Sequence, residues 1–443
     1  MIRYHCAHAW LGGPTTTRDV IVEVEGDRIV EVTTGPRPPE AVGLRGITVP
    51  GLADVHSHAF HRALRARTQH GPGSFWTWRD QMYRAAAGLD PDRYHRLARA
   101  TYAEMVLAGV TCVGEFHYVH HRPDGGPYDD VNVMGAALVA AAAEAGVRIT
   151  LLDTCYLQGG PDRPLEGIQR RFGDVDGDAW AERASARPEA GHARMGAAIH
   201  SVRAVPPDQA AIVATWAAQR RAPLHAHLSE QPAENAASLA AYGATPTAVL
   251  AAAGALGPRT TAVHATHLGG ADIEMLGSTS TGICMCPTTE RDLADGIGPA
   301  RALADAGSPI SVGTDSHAVI DVLEEARALE LDERLARGER GRWSPEALLG
   351  AATYAGHAAL GWPDAGRIEP GAIADLVTVG LDTPRLAGAD HGQLVAAVVY
   401  AATAADITDV VASGRHVVAS GRHTGLVDVA AQLDAAVREL MGR

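Results

Sequence analysis

Between residues 50 and 318 the chain repeats one unit eight times: a short apolar run, in most cases followed by a segment rich in Ala, Leu, Glu and Arg. The runs are Gly51–His56, Gly109–Tyr118, Arg148–Tyr156, Met195–Val202, Ala222–Leu228, Thr260–His267, Gly282–Pro287 and Pro309–Asp315. Strands covered on both faces read as near-continuous hydrophobic stretches, and strands that alternate with helices form parallel sheets. The repeat therefore predicts an α/β fold, a distorted (β/α)8 TIM barrel over residues 50–365, with its site at the carboxyl ends of the strands. Residues 1–49 carry a different pattern. Val20-Ile-Val-Glu-Val-Glu-Gly-Asp-Arg-Ile-Val-Glu-Val32 alternates about Glu25-Gly-Asp and predicts a hairpin. Similar alternation returns in Gly371–Val379 and Ile407–Gly421. A small β-sandwich built from both chain ends, residues 1–49 and 366–443 with a terminal helix, is the simplest arrangement. Pro161 to Gly191, rich in charge and Gly, is expected to be a long excursion after the third strand.

The chemistry gathers at the ends of these runs. His56 and His58 close the run Ile47-Thr-Val-Pro-Gly-Leu-Ala-Asp-Val55. In a strand, positions i and i+2 share a face, so both rings converge just beyond the strand's end. That is half of a metal site. His227 in Pro-Leu-His-Ala-His-Leu-Ser-Glu230, His264 in Val-His-Ala-Thr-His267, and Asp315 in Ile-Ser-Val-Gly-Thr-Asp315 each close another run. A lone His-x-His in a chain with 21 histidines is weak evidence. Three further strand ends bearing His, His and Asp make coincidence a poor explanation.

Composition narrows the function classes. Hydrophobic residues at 46% and charged ones at 20% are ordinary for a globular chain, and a formal charge of −14 argues against nucleic acid as a partner. No run approaches a membrane span, and Met1-Ile-Arg-Tyr-His leads directly into a strand-like pattern rather than a signal or transit peptide. The expected location is the cytoplasm. Cys6, Cys112, Cys155, Cys284 and Cys286 are odd in number and sit mostly in apolar runs, which fits reduced, buried thiols. Cys284 and Cys286 have the softness of zinc ligands, but with no second Cys pair a buried strand explains Gly282–Cys286 better. All 38 basic residues are arginine, so a metal-bridging carboxylated lysine is impossible.

Taken together, Pro-Gly-Leu-Ala-Asp-Val-His-Ser-His58, His227 with Glu230 three residues on, His264 and Asp315 resemble the mononuclear deaminase branch of the amidohydrolase superfamily, over nearly the whole chain. His58-Ala-Phe-His-Arg-Ala, Gly73-Ser-Phe-Trp-Thr-Trp-Arg-Asp-Gln-Met-Tyr-Arg84 and Glu115-Phe-His-Tyr-Val-His-His121 are narrower markers, similar to the formimidoylglutamate deiminases. Those enzymes act in histidine degradation and hydrolyse N-formimidoyl-L-glutamate to N-formyl-L-glutamate and ammonia.

The resemblance implies one Zn2+ per subunit, with His56, His58, His227 and Asp315 as ligands. Three neutral imidazoles and a carboxylate suit zinc, which lowers the pKa of a water toward roughly 7. Asp315 would take the proton of the attacking water. Glu230 would carry it to the leaving nitrogen, although a Glu after Ser229 also suits a helix start. His264 would bond the attacking oxygen or polarise the substrate, with His267 its competitor for that role. A dicarboxylate substrate asks for bidentate cations, and Arg79 and Arg203 are the candidates; a structural ion pair is the usual role of an arginine, and the resemblance favours substrate binding over it for both. Tyr118 is a donor candidate; Trp76 and Trp78 are expected to pack at the barrel mouth. His61 departs from the pattern, which has glutamine there, and would contact substrate with a hydrogen bond sensitive to pH. A homodimer is implied by resemblance alone. The rivals are a related aminohydrolase acting on a purine, pyrimidine or triazine, and a non-catalytic barrel used as a scaffold.

Overall fold

A computed structural model describes residues 1–69, 73, 75–186 and 190–442, with the side chains of Phe75 and Trp76 outside the described set. The expectation for Trp76 therefore lies outside the described residues. Two eight-stranded sheets organise the chain. The first four strands are β1 (Ile2–Ala9), β2 (Thr17–Glu25), β3 (Arg28–Thr34) and β4 (Val42–Pro50). The second sheet follows as β5 (Leu52–Ser57), β6 (Val110–His117), β7 (Arg148–Cys155), β8 (Ala193–Ile199), β9 (Leu224–Leu228), β10 (Thr260–His264), β11 (Gly282–Met285) and β12 (Ile310–Val312). The chain then returns to the first sheet with β13 (Leu376–Val379), β14 (Ile407–Ala412), β15 (Arg415–Ala419) and β16 (Arg422–His423).

Strands β5 to β12 pair in parallel and in chain order, as the eight apolar runs predict. Every residue of β6 and β7 is buried, which is why those stretches lack a polar alternation. The barrel closes where the turn after β12 meets β5: Asp315 N–H donates to His56 O (2.9 Å), and His58 N–H to Asp315 O (3.3 Å). Gly313 permits this approach, because a Cβ there would lie 2.7 Å from His56 N. Helices run between the strands, for example Pro91–Leu107, capped by Asp90 accepting from Arg93 N–H, and Val133–Ala145, ended by Gly146 at φ 80°.

The first sheet has the order β16-β15-β14-β13-β4-β1-β2-β3, with β2 and β3 forming the predicted hairpin. Its strands enclose a separate small core of Tyr4, Cys6, Val20, Val22, Ile29, Leu44, Leu376 and Val411. The expected excursion after β7 is more ordered than its composition suggests. It contains a 3-10 turn, Gly167–Arg171, and a helix, Gly177–Ser185, whose Arg183 is buried between Asp153 and Asp174 (both 2.8 Å). Charge read as loop character is there an internal ion-pair network. All five cysteines are free and buried. Among the described residues no helix is long and apolar enough to cross a membrane.

Candidate active site and metal centre

Strand ends β5, β9, β10 and β12 bring four imidazoles and one carboxylate together at one mouth of the barrel. His56 Nε2 and His58 Nε2 lie 3.3 and 3.4 Å from Asp315 Oδ1, and His227 Nε2 lies 3.1 Å from His56 Nε2. His264 Nε2 is 3.9 Å from Asp315 Oδ2 and 3.8 Å from Glu230 Oε1. The backbone departs from strand geometry where these side chains turn inward. Ser229, His264, Ala265, Asp315 and His317 all have positive φ, between 42° and 68°. Non-glycine residues in that region carry strain that the surrounding fold must hold, and such strain clusters at functional sites.

Hydrogen bonds set the ring orientations. His58 Nδ1 donates to Phe116 O and His227 Nδ1 to His200 O, both at 2.9 Å, which leaves each Nε2 as a lone pair aimed at the centre. Burial, reinforced by neighbouring imidazoles, holds His56, His58 and His227 well below the usual histidine range, so they are neutral. Neutral nitrogens converging on one carboxylate oxygen are a donor set for a divalent ion; His56, His58 and Asp315 form one such group, and His56, His227 and His264 another.

His264 behaves differently. Burial alone would push it down, but the carboxylates of Glu230, Glu290 and Asp315 overcome that and raise it well above the usual range. Glu230 is itself raised by burial. A buried acid and a buried base, 3.8 Å apart with displaced proton affinities, can hold and pass a proton.

Above this floor opens a cavity of about 980 Å3. Its walls include Arg79, Arg203, Tyr118 and His61, and its base His58, His227, Glu230, His264 and Asp315. His56 sits beneath, fully buried. His61 Nε2 shares a hydrogen bond with Tyr118 Oη (3.0 Å), and its ring packs edge-on against Trp78 at 5.1 Å. The Arg79 guanidinium stands 5.4 Å from the Tyr83 ring. Burial disfavours the charge of Arg203, but Tyr156 and Glu234 restore it and raise its proton affinity. His267 does not reach the cavity; its Nε2 donates to Asp295 O (2.8 Å).

Four further residues belong to this region and were not singled out from the sequence. His200, Tyr156 and Glu234 line the cavity, and Glu290 contacts His264 Nδ1 at 3.3 Å. His200 closes an apolar run just as His264 does, and that signal was available. Glu290 lies within Pro287-Thr-Thr-Glu290, past the end of a strand, and carried none.

This barrel and site define a class. The chain belongs to the amidohydrolase family, whose profile matches residues 47–417. It is 36% identical over 424 residues to formimidoylglutamate deiminase of Pseudomonas aeruginosa, covering 92% of this chain and 93% of that protein. It is 32% identical over 432 residues to 8-oxoguanine deaminase of the same organism, covering 94% of each. The crystal structure of an adenosine deaminase from Xanthomonas campestris with bound zinc superposes with a TM-score of 0.85 at 25% identity, covering 99% of this chain and 97% of the other. The chain is accordingly a hydrolase acting on C–N bonds.

Proposed function

We propose that this chain hydrolyses N-formimidoyl-L-glutamate to N-formyl-L-glutamate and ammonia, a step of histidine degradation, in the cytoplasm and as a homodimer. One observation carries the substrate assignment: Arg79 and Arg203 come from separate segments and line the same cavity, above the His and Asp cluster. A planar guanidinium donates two parallel hydrogen bonds to a carboxylate, and the substrate has two carboxylates to bind. The 36% identity to a formimidoylglutamate deiminase supports the same reading.

His56, His58, His227 and Asp315 would hold one Zn2+ per subunit. When bound, zinc supplies the Lewis acidity that makes a water nucleophilic near neutral pH. Asp315 would take a proton from the attacking water as its oxygen bonds to the formimidoyl carbon. Glu230, whose proton affinity burial raises, delivers a proton to the terminal nitrogen. The hydroxyl of the resulting adduct gives up the water's second proton, which Glu230 relays to the same nitrogen; the C–N bond breaks, ammonia leaves, and the carbon remains as a formyl group on the glutamate nitrogen. His264 donates from Nε2 to the oxygen as charge develops on it. Tyr118 and His61, joined by their own hydrogen bond, orient the amidine. A second reading, deamination of a purine, is favoured by the 32% identity to 8-oxoguanine deaminase.

The test is product analysis by NMR after incubating zinc-loaded protein with N-formimidoyl-L-glutamate. Formyl-glutamate and ammonia in equal amounts, abolished by chelation, are the expected result. An unchanged amidine, or release of formamide and free glutamate, contradicts the assignment.

A further inference from the structure

The His264 ring has two polar edges, and the deiminase chemistry uses only one. Nε2 faces Glu230 and Asp315, while Nδ1 points the other way, 3.3 Å from Glu290 Oε1. We propose that Glu290 is a positioning residue: by accepting the Nδ1 proton it fixes the ring of His264 so that Nε2 alone is presented to the reacting atoms. The task given to His264 rests on the deiminase reading; the hydrogen bond that orients it is a property of the fold.

Several observations converge on this role. Glu290 belongs to the short helix Pro287–Asp292, which starts where β11 ends. Its Oε1 also accepts the Cys286 backbone N–H at 2.8 Å, so a rigid peptide group fixes the same oxygen that meets His264. Glu290 is buried, and His264 is its ion-pair partner among the described residues. A buried carboxylate is costly unless it is paired and hydrogen-bonded. The positive φ of His264 adds strain at the other end of the contact. Without an acceptor at Nδ1, the ring is free to flip or to give up its second proton, and Nε2 then loses its defined donor role. The sulfur of Cys286 also lies near Glu290 and His264, within reach of a common metal ion. That alternative is disfavoured because Glu290 Oε1 already receives two N–H donors, and burial pushes the Cys286 thiol well above its ordinary range, away from the thiolate a metal needs.

The test is a double-mutant cycle with a spectroscopic arm on the zinc-loaded protein. Glu290→Ala and Glu290→Gln are made alone and in a His264→Gln background, and kcat, KM and bound metal are measured with N-formimidoyl-L-glutamate. Glu290→Ala is expected to lower kcat about 10- to 100-fold, the cost of losing a partner that orients a site histidine, with KM changed less than about twofold and metal retained. Glu290→Gln, whose amide oxygen still accepts, recovers most of that loss. In the His264→Gln background Glu290→Ala adds nothing, because the two act as a unit. In the NMR arm, a downfield imidazole N–H resonance absent from His264→Gln should vanish in Glu290→Ala and persist in Glu290→Gln. Full additivity in the cycle, or a resonance indifferent to Glu290→Ala, overturns the proposal. If the wild-type protein releases no ammonia from the amidine, the substrate reading fails, and the resonance alone still decides the Glu290 contact.

Discussion

At the floor of the barrel Arg148 donates to both carboxylate oxygens of Asp375, at 2.9 and 2.5 Å, and Ser413 N–H and Thr111 Oγ1 complete the carboxylate's shell. At the mouth, the Nε2 atoms of His56 and His227 face each other at 3.1 Å, and His56 and His58 both crowd one carboxylate oxygen of Asp315. Both regions are buried and rich in titratable groups. The floor pairs its buried arginine with a carboxylate within the protein and ties the barrel to the sheet made from the chain ends. The mouth leaves lone pairs converging on a point, held by strained backbone, and so keeps binding capacity that the floor has spent. Stability is concentrated at one end of a (β/α)8 barrel and chemistry at the other.

Substitutions should separate the two ends. The largest effect is expected from His227→Ala at the mouth. Loss of a metal-donor nitrogen should lower kcat about 10³-fold or more, with metal content falling in parallel and the thermal midpoint little changed in the presence of chelator. At the floor, Asp375→Ala leaves Arg148 buried without its partner. It should cost about 3–5 kcal/mol in denaturant unfolding, while turnover per folded molecule stays at the wild-type level. A floor variant that lost activity with its fold intact would break the division between the two ends. Next in size is Arg203→Ala. One charge-assisted carboxylate contact contributes about 1.5–3 kcal/mol, so kcat/KM for N-formimidoyl-L-glutamate should fall roughly 10- to 150-fold with the metal retained.

The smallest effect is one of pH, with opposite signs at the two ends. Burial pushes Asp375 up, but Arg148 outweighs it and holds the carboxyl below its usual range. Its stabilisation is present above the unfolded value and disappears as pH falls through the folded one. Glu115, which accepts from Ser57 Oγ and Ala59 N–H under the mouth, is raised by burial to about 8. The folded protein holds that proton where the unfolded chain has lost it, so wild-type stability should decline from pH 4.5 to about 8. Unfolding curves of Asp375→Asn should show a shallower acid decline than the wild type, and those of Glu115→Gln a shallower alkaline one.

Much of this division was legible in the sequence because it follows from period and position. The eight barrel strands, the hairpin about Gly26 and the gathering of His56, His58, His227, His264 and Asp315 all follow from where apolar runs end. Contacts made by residues outside those runs were not legible. Glu290 reaches His264 from a helix that starts after β11, and Asp375 meets Arg148 across 227 residues of chain. Neither spacing has a periodic signature. The excursion after β7 misled for a related reason: Arg183 looks like a solvated charge until Asp153 and Asp174 are brought to it by the fold.

The central claim is that the cavity with Arg79 and Arg203 on its wall serves an acyclic dicarboxylate amidine. The direct measurement is kcat/KM for ammonia release by the zinc-loaded protein, with N-formimidoyl-L-glutamate, N-formimidoyl-L-aspartate and 8-oxoguanine side by side. The account predicts a preference of at least about 10²-fold for the glutamate amidine over 8-oxoguanine, the discrimination expected when buried polar groups go unpaired with the wrong substrate. Faster release from 8-oxoguanine would contradict it.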